Sequence, residues 1–213
     1  MGNPRKVWLS SAILALCLVA SSASFAALTF NVVLDTTSLD GTNATLAFDF
    51  FDGGPPSNTV VLSTLASNGT QGSASTTGDV TGTGPWTFSD LGNTSFFNEL
   101  LVDFTPMGTS LSFSFTATDN PAEAGSSPDS FAFTILDSTT LQPLIATDDQ
   151  TGANALFLMS LGEGQQGLNV YTPILAPDQV FSIDVTTASA PEPATLALLV
   201  IGFGAMFRRR RLE

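Results

Sequence analysis

Ser110-Leu111-Ser112-Phe113-Ser114-Phe115-Thr116-Ala117-Thr118 decides the fold. Every second residue is apolar and every intervening one is a small hydroxyl side chain. Successive side chains of a strand point to opposite faces, so this period of two places an apolar row on one side and a polar row on the other. The pattern recurs along the chain. Leu28, Phe30, Val32 and Leu34 share a parity, as do Leu46, Phe48 and Phe50, then Phe131, Phe133 and Ile135, then Phe181, Ile183 and Val185. Such strands suit antiparallel sheets with one buried face. Between residues 27 and 190 no stretch sustains a helical 3.6-residue period. Residues 153–161 are the ambiguous case, readable as a short helix or a strand.

Turn residues separate these segments: Asp40-Gly41, Asp52-Gly53-Gly54-Pro55-Pro56, Asn68-Gly69, and the stretch from Pro121 to Pro128. Eight or more short strands joined by polar loops predict an all-β fold, an antiparallel β-sandwich of jelly-roll-like type. Fourteen phenylalanines lie between residues 27 and 190 and supply its core. Residues 66–84 are dominated by Ser, Thr, Gly, Asn and Gln, with Val80 the one sizeable apolar side chain, and read as a loop or a polar edge strand. Residues 186–190 read as a short linker.

The ends differ from the middle. All six basic residues of the 213-residue chain are terminal: Arg5, Lys6, and Arg208, Arg209, Arg210 and Arg211. Residues 27–190 hold 17 acidic residues and no Lys, Arg or His, a formal charge of −17. Phosphate backbones and anionic lipid surfaces repel such a segment, which excludes nucleic-acid binding as its role. The single cysteine, Cys17, lies in the first apolar stretch, so the middle has neither disulfide nor thiol chemistry. A lipoprotein reading of Cys17 is weak because Leu16 precedes it.

Residues 1–26 read as a secretory signal peptide. Arg5 and Lys6 form the positive start and Val7 to Val19 the apolar stretch. Ser24-Phe25-Ala26 offers small residues at the recognition positions, which places cleavage between Ala26 and Ala27.

At the other end, Pro191-Glu192-Pro193 precedes an apolar run over 194–207, and Arg208 to Arg211 follow at once. The prolines hold an extended stretch, the run can enter a bilayer as a helix, and the arginines stop transfer on the cytoplasmic side. Fourteen residues span roughly 21 Å as a helix against a hydrocarbon core of about 30 Å. The segment is short for a lasting anchor and suits a single transmembrane sorting helix that is later removed.

That order of elements resembles the PEP-CTERM sorting domain. The resemblance implies export by the Sec machinery, transient residence in the inner membrane of a Gram-negative bacterium, and removal of the tail by a membrane-embedded exosortase. It makes Pro191, Glu192 and Pro193 the recognition and cleavage signal. Leu34-Asp35-Thr36-Thr37, Phe48-x-Phe50, Gly53-Gly54-Pro55-Pro56-Ser57-Asn58 and Gly78-Asp79-Val80-Thr81-Gly82 also look like a family of PEP-CTERM proteins without assigned function. The expected domains are 1–26, a signal peptide; 27–187, a β-sandwich; and 188–213, the sorting tail.

The residue types missing from the middle limit its chemistry. Without His, Lys or Cys, nucleophiles activated by His or Lys cannot be built, and zinc, copper and haem lack their usual ligands. A glycosidase needs only carboxylates, but nothing in the spacing of Glu99, Glu123 and Glu163 selects a pair. The reading is therefore that the domain has no catalytic residues and is not an enzyme. It needs no cofactor, and Ca²⁺ is the one ion its oxygen donors suit. Asp119-Asn120, Asp129, Asp137 and Asp148-Asp149 flank predicted strands and read first as solvated loop acids. Trp86 and Tyr171 are the candidates for stacking on a sugar. Expected partners are the exosortase, the Sec machinery and exopolysaccharide, with a final place at the cell surface or outside the cell. The leading function is a structural surface or matrix component. A carbohydrate- or Ca²⁺-dependent adhesion module is the alternative, and a carboxylate-based glycoside hydrolase the second.

Overall fold

The computed structural model describes residues 27–91 and 95–188. In chain order its strands are β1 (Leu28–Asp35), β2 (Ala44–Phe51), β3 (Thr59–Leu62), β4 (Ala66–Ser67), β5 (Gln71–Thr77), β6 (Val80–Gly82), β7 (Trp86–Ser89), β8 (Phe97–Phe104), β9 (Ser110–Ala117), β10 (Ser130–Asp137), β11 (Phe157–Ser160), β12 (Leu168–Val170) and β13 (Ser182–Ala188). Two short 3₁₀ turns, Thr37–Leu39 and Gly164–Gly167, are the other regular elements among the described residues.

Two antiparallel sheets face each other. One runs β13-β1-β9-β3-β7-β6, with β4 also pairing β9; the other runs β12-β11-β10-β2-β8-β5. The sandwich expected from the period-two pattern is the fold observed. β9 sits at the heart of the first sheet and pairs β1 along its whole length, Leu28↔Ala117 to Asp35↔Ser110. Its apolar row, Leu111, Phe113, Phe115 and Ala117, is buried, while Ser112, Ser114 and Thr116 face outward half-exposed.

The opposite sheet meets that row with Phe48, Phe131, Phe133 and Phe157. Phe113 packs edge-on against Phe48 at 5.3 Å and against Phe133 at 5.2 Å. Phe115 stacks on Phe157 at 5.2 Å. These edge-to-face and stacked contacts cross between the sheets, and each buried Phe contributes roughly 1.5–3 kcal/mol by leaving water.

The ambiguous residues 153–161 resolve as loop and then strand β11, whose Phe157 and Met159 enter the core. The polar stretch 66–84 contains β5, an exposed edge strand beside β8 with a register shift between Gln71 and Ala74. Irregularity and polar side chains discourage further strands from adding to an edge. Residues 186–188, expected as linker, belong to β13: Thr186, Thr187 and Ala188 pair Asn31, Phe30 and Thr29. Backbone pairing holds that strand to its end although most of its side chains are exposed.

The cleavage position Ala26, the sorting signal and the arginine cluster lie outside the described residues. Among the described residues no helix is long and apolar enough to cross a membrane.

Candidate functional site

One end of the sandwich gathers three carboxylates. Asp52 directly follows β2, Asp129 directly precedes β10, and Asp90 directly follows β7. β2 and β10 are antiparallel neighbours with Phe51 opposite Ser130, so the ladder itself brings Asp52 and Asp129 side by side. β7 belongs to the facing sheet, and Asp90 reaches the same point from there. One oxygen from each of the three lies within 4.8 Å of the others.

The surroundings fix these side chains. Asp129 Oδ1 accepts the Gly53 N–H at 2.7 Å and Oδ2 accepts Asn58 Nδ2 at 2.8 Å. Asn58 is itself buried, and its Oδ1 receives Thr118 Oγ1 and the Asn120 N–H, both at 2.9 Å. Asp52 Oδ1 accepts the Gly54 N–H at 2.7 Å, a bond that tightens the turn after β2. Gly53 must lack a side chain, since a Cβ would collide with the Ser127 and Pro128 carbonyls. The Asp90 N–H reaches the Asn58 carbonyl at 3.5 Å.

Asp90 is 1 % exposed and Asp129 2 %. Asp90 Oδ1 is buried with no hydrogen-bond partner. Its carboxyl is pushed up from 3.8 to about 6, first by burial; a hydrogen bond from the Asn58 backbone to the carboxylate opposes this, while Asp129, through its charge and a side-chain hydrogen bond, and the Asp52 charge add to it.

A second acidic pair lies on the outward face of the β2–β8 ladder, where Asp49 stands opposite Glu99. Burial pushes Asp49 up to about 7, with the Glu99 charge adding to it, and burial also raises Glu99. Glu99 is thus paired with an aspartate that the sequence reading had not singled out, and neither carboxylate belongs to the three-carboxylate group.

Of the loop acids named from the sequence, only Asp129 joins that group. The others are committed to backbone N–H groups, Asp137 and Asp149 within local turns and Asp119 and Asp148 between distant loops. Asp119 accepts the Gly162 N–H at 2.6 Å, and Asp137 accepts the N–H groups of Thr139 and Thr140 at 3.0 and 2.7 Å. Asp148 accepts the Thr172 N–H at 2.7 Å, and Asp149 both Thr151 N–H and Oγ1 at 2.9 and 2.8 Å. Asp52 and Asp90 were missed. Each looks like an ordinary strand-ending aspartate, and only the strand order brings them together. Trp86 does not face solvent for sugar stacking: it is 3 % exposed and lies in the core beside Phe88. Tyr171 is partly exposed.

The PEP-CTERM protein-sorting motif matches residues 189–211. The chain carries a PEP-CTERM sorting motif. The match covers the Pro-Glu-Pro signal, the apolar run and the four arginines, all beyond the end of β13. The PEP-CTERM tail therefore begins where the sandwich ends, at Ala188. It marks an exported substrate of exosortase-dependent sorting. No curated protein and no solved structure matches the chain.

Proposed function

We propose that the sandwich is a non-enzymatic structural component of the cell surface or extracellular matrix, exported through Sec and released from its tail at Pro191–Pro193 by an exosortase. The carrying observation is the sorting motif at 189–211, joined to a domain without a single basic residue. Loss of residues 1–26 and of the arginine cluster leaves a domain of formal charge −17 over 27–190. Strong like charge keeps such a domain soluble and unassociated outside the cell. Several of its carboxylates, among them Asp119, Asp129, Asp137, Asp148 and Asp149, are committed to backbone N–H groups, which supports a passive role over hydrolysis.

Fractionation of a Gram-negative, exopolysaccharide-producing host with and without its exosortase tests this. The expected result is the sandwich in the matrix fraction of the intact strain and a larger, membrane-bound form in the deletion strain. Identical distribution in both would overturn the sorting role. Release of oligosaccharides from the host's exopolysaccharide by the purified protein, lost on Glu99→Gln, would overturn the non-enzymatic one.

A further inference from the structure

We propose that Asp52, Asp90 and Asp129 form a Ca²⁺ site that ties the two sheets together at one end of the sandwich. Three observations carry it. The three carboxylates converge from β2, β7 and β10, with one oxygen of each within 4.8 Å of the others. Asp90 is 1 % exposed, and its Oδ1 is buried without a hydrogen-bond partner. No Lys, Arg or His exists anywhere in 27–190 to neutralise the cluster.

Buried like charges without a counter-ion are costly, and a polar atom sealed from water without a partner is normally satisfied by something. The donor set selects the ion. All donors are oxygens, which suits hard cations. Three carboxylates on three separate segments form a flexible cage, and Ca²⁺ accepts 6–8 oxygens at about 2.3–2.6 Å in variable geometry. Mg²⁺ demands a tighter octahedron and keeps most of its water. Three carboxylates, each able to bind through one or both oxygens, leave the remaining positions to water.

Asn58 is a positioning residue for this site. It touches Asp129 through Nδ2 and is held from behind by Thr118 and Asn120. Outer partners of this kind orient metal ligands and strengthen binding. The site joins both sheets, so an ion bound there stabilises the native arrangement as a whole. Calcium sites of extracellular modules work at roughly 0.1–1 mM, the range expected here.

The test uses the exported, processed protein at pH 7.5, stripped of metal with a chelator and titrated with CaCl₂, MgCl₂ or NaCl of matched ionic strength. Calorimetry should find one Ca²⁺ per chain, and Ca²⁺ at about a hundred times Kd should raise Tm by roughly 5–10 °C. Asp90→Asn should abolish that rise while leaving the metal-free Tm equal to or above the wild type. Asp52→Asn, which disturbs only the Gly54 turn bond, should do the same and carries the test if Asp90→Asn fails to fold. Asp137→Asn, on a distant exposed turn, should keep the full response. An unchanged Tm up to 10 mM Ca²⁺ would overturn the proposal. So would an equal rise with Mg²⁺ or NaCl, or a rise that persists in both Asp90→Asn and Asp52→Asn, since these mean general screening of the acidic surface.

Discussion

Asp49 stands directly opposite Glu99 across the β2–β8 ladder, and burial, with the Glu99 charge adding to it, pushes Asp49 up to about 7. Asp49 Oδ1 is buried without a hydrogen-bond partner. Ala132, its neighbour on β10, offers no polar group in return. Burial penalises the charged form of Asp49, and a like charge directly opposite on the sheet adds to that cost.

The consequence is a stability that falls as pH rises. Aspartate ordinarily titrates at 3.8, and in the folded domain Asp49 titrates at about 7. Between these values the folded state holds a proton that the unfolded chain has lost, so the folded state is favoured at the acid end and loses this contribution by about pH 7. Urea unfolding in chelator should therefore show lower stability at pH 8 than at pH 5. Asp49→Asn should flatten the dependence and raise stability at pH 8 by about 2–4 kcal/mol. An unaltered pH profile in that variant would show that Asp49 is not the group responsible.

Phe113 should be among the costliest core positions to truncate. It touches both Phe48 and Phe133 from the opposite sheet. Phe113→Ala should cost about 3–5 kcal/mol in denaturant unfolding. Val33→Thr on the outer face, where the side chain is 56 % exposed, should stay within about 0.5 kcal/mol of wild type. Comparable losses from the two changes would contradict the sandwich interface described.

Asn58→Ala should be unusually damaging for an amide truncation. Asn58 bonds Asp129 and the Asn120 carbonyl through Nδ2, and receives Thr118 and Asn120 through Oδ1. Losing these buried bonds should cost about 2–4 kcal/mol in metal-free thermal or urea unfolding. A loss below about 1 kcal/mol would mean that the network does not hold the loops around β3 and β10.

The arginine cluster should fix the orientation of the tail. In an exosortase-deficient host, replacing Arg208, Arg209, Arg210 and Arg211 together by Ser should weaken retention in the inner membrane, because cytoplasmic basic residues set the orientation of a span. Unchanged retention, measured by alkaline extraction of membranes, would assign the anchoring to another segment.

Much of the fold was legible because it is written locally. The alternation of Leu111, Phe113 and Phe115 with serines depends on strand geometry alone, and the buried row of β9 follows it residue for residue. The polar stretch within 66–84 was legible as an edge for the same reason: β5 has nothing to bury. Trp86 was harder to read, since a Gly-Pro turn before a tryptophan suits a surface platform as well as a strand start. Its parity with Phe88 on β7 puts it inside. The carboxylate centre depends on relationships that no local pattern contains. Asp52 and Asp129 meet because β2 pairs β10, and Asp90 joins them because β7 lies in the facing sheet. The sorting motif needed no tertiary information, since its three elements are read in linear order along residues 189–211.

Intact-mass measurement of the protein recovered from the matrix of its producing cells tests the central account most directly. The account predicts a chain that starts at Ala27 and ends at or near the Pro191–Pro193 signal, with no basic residue and the apolar run gone. A mass that retains Arg208 to Arg211 on material outside the cell would contradict it.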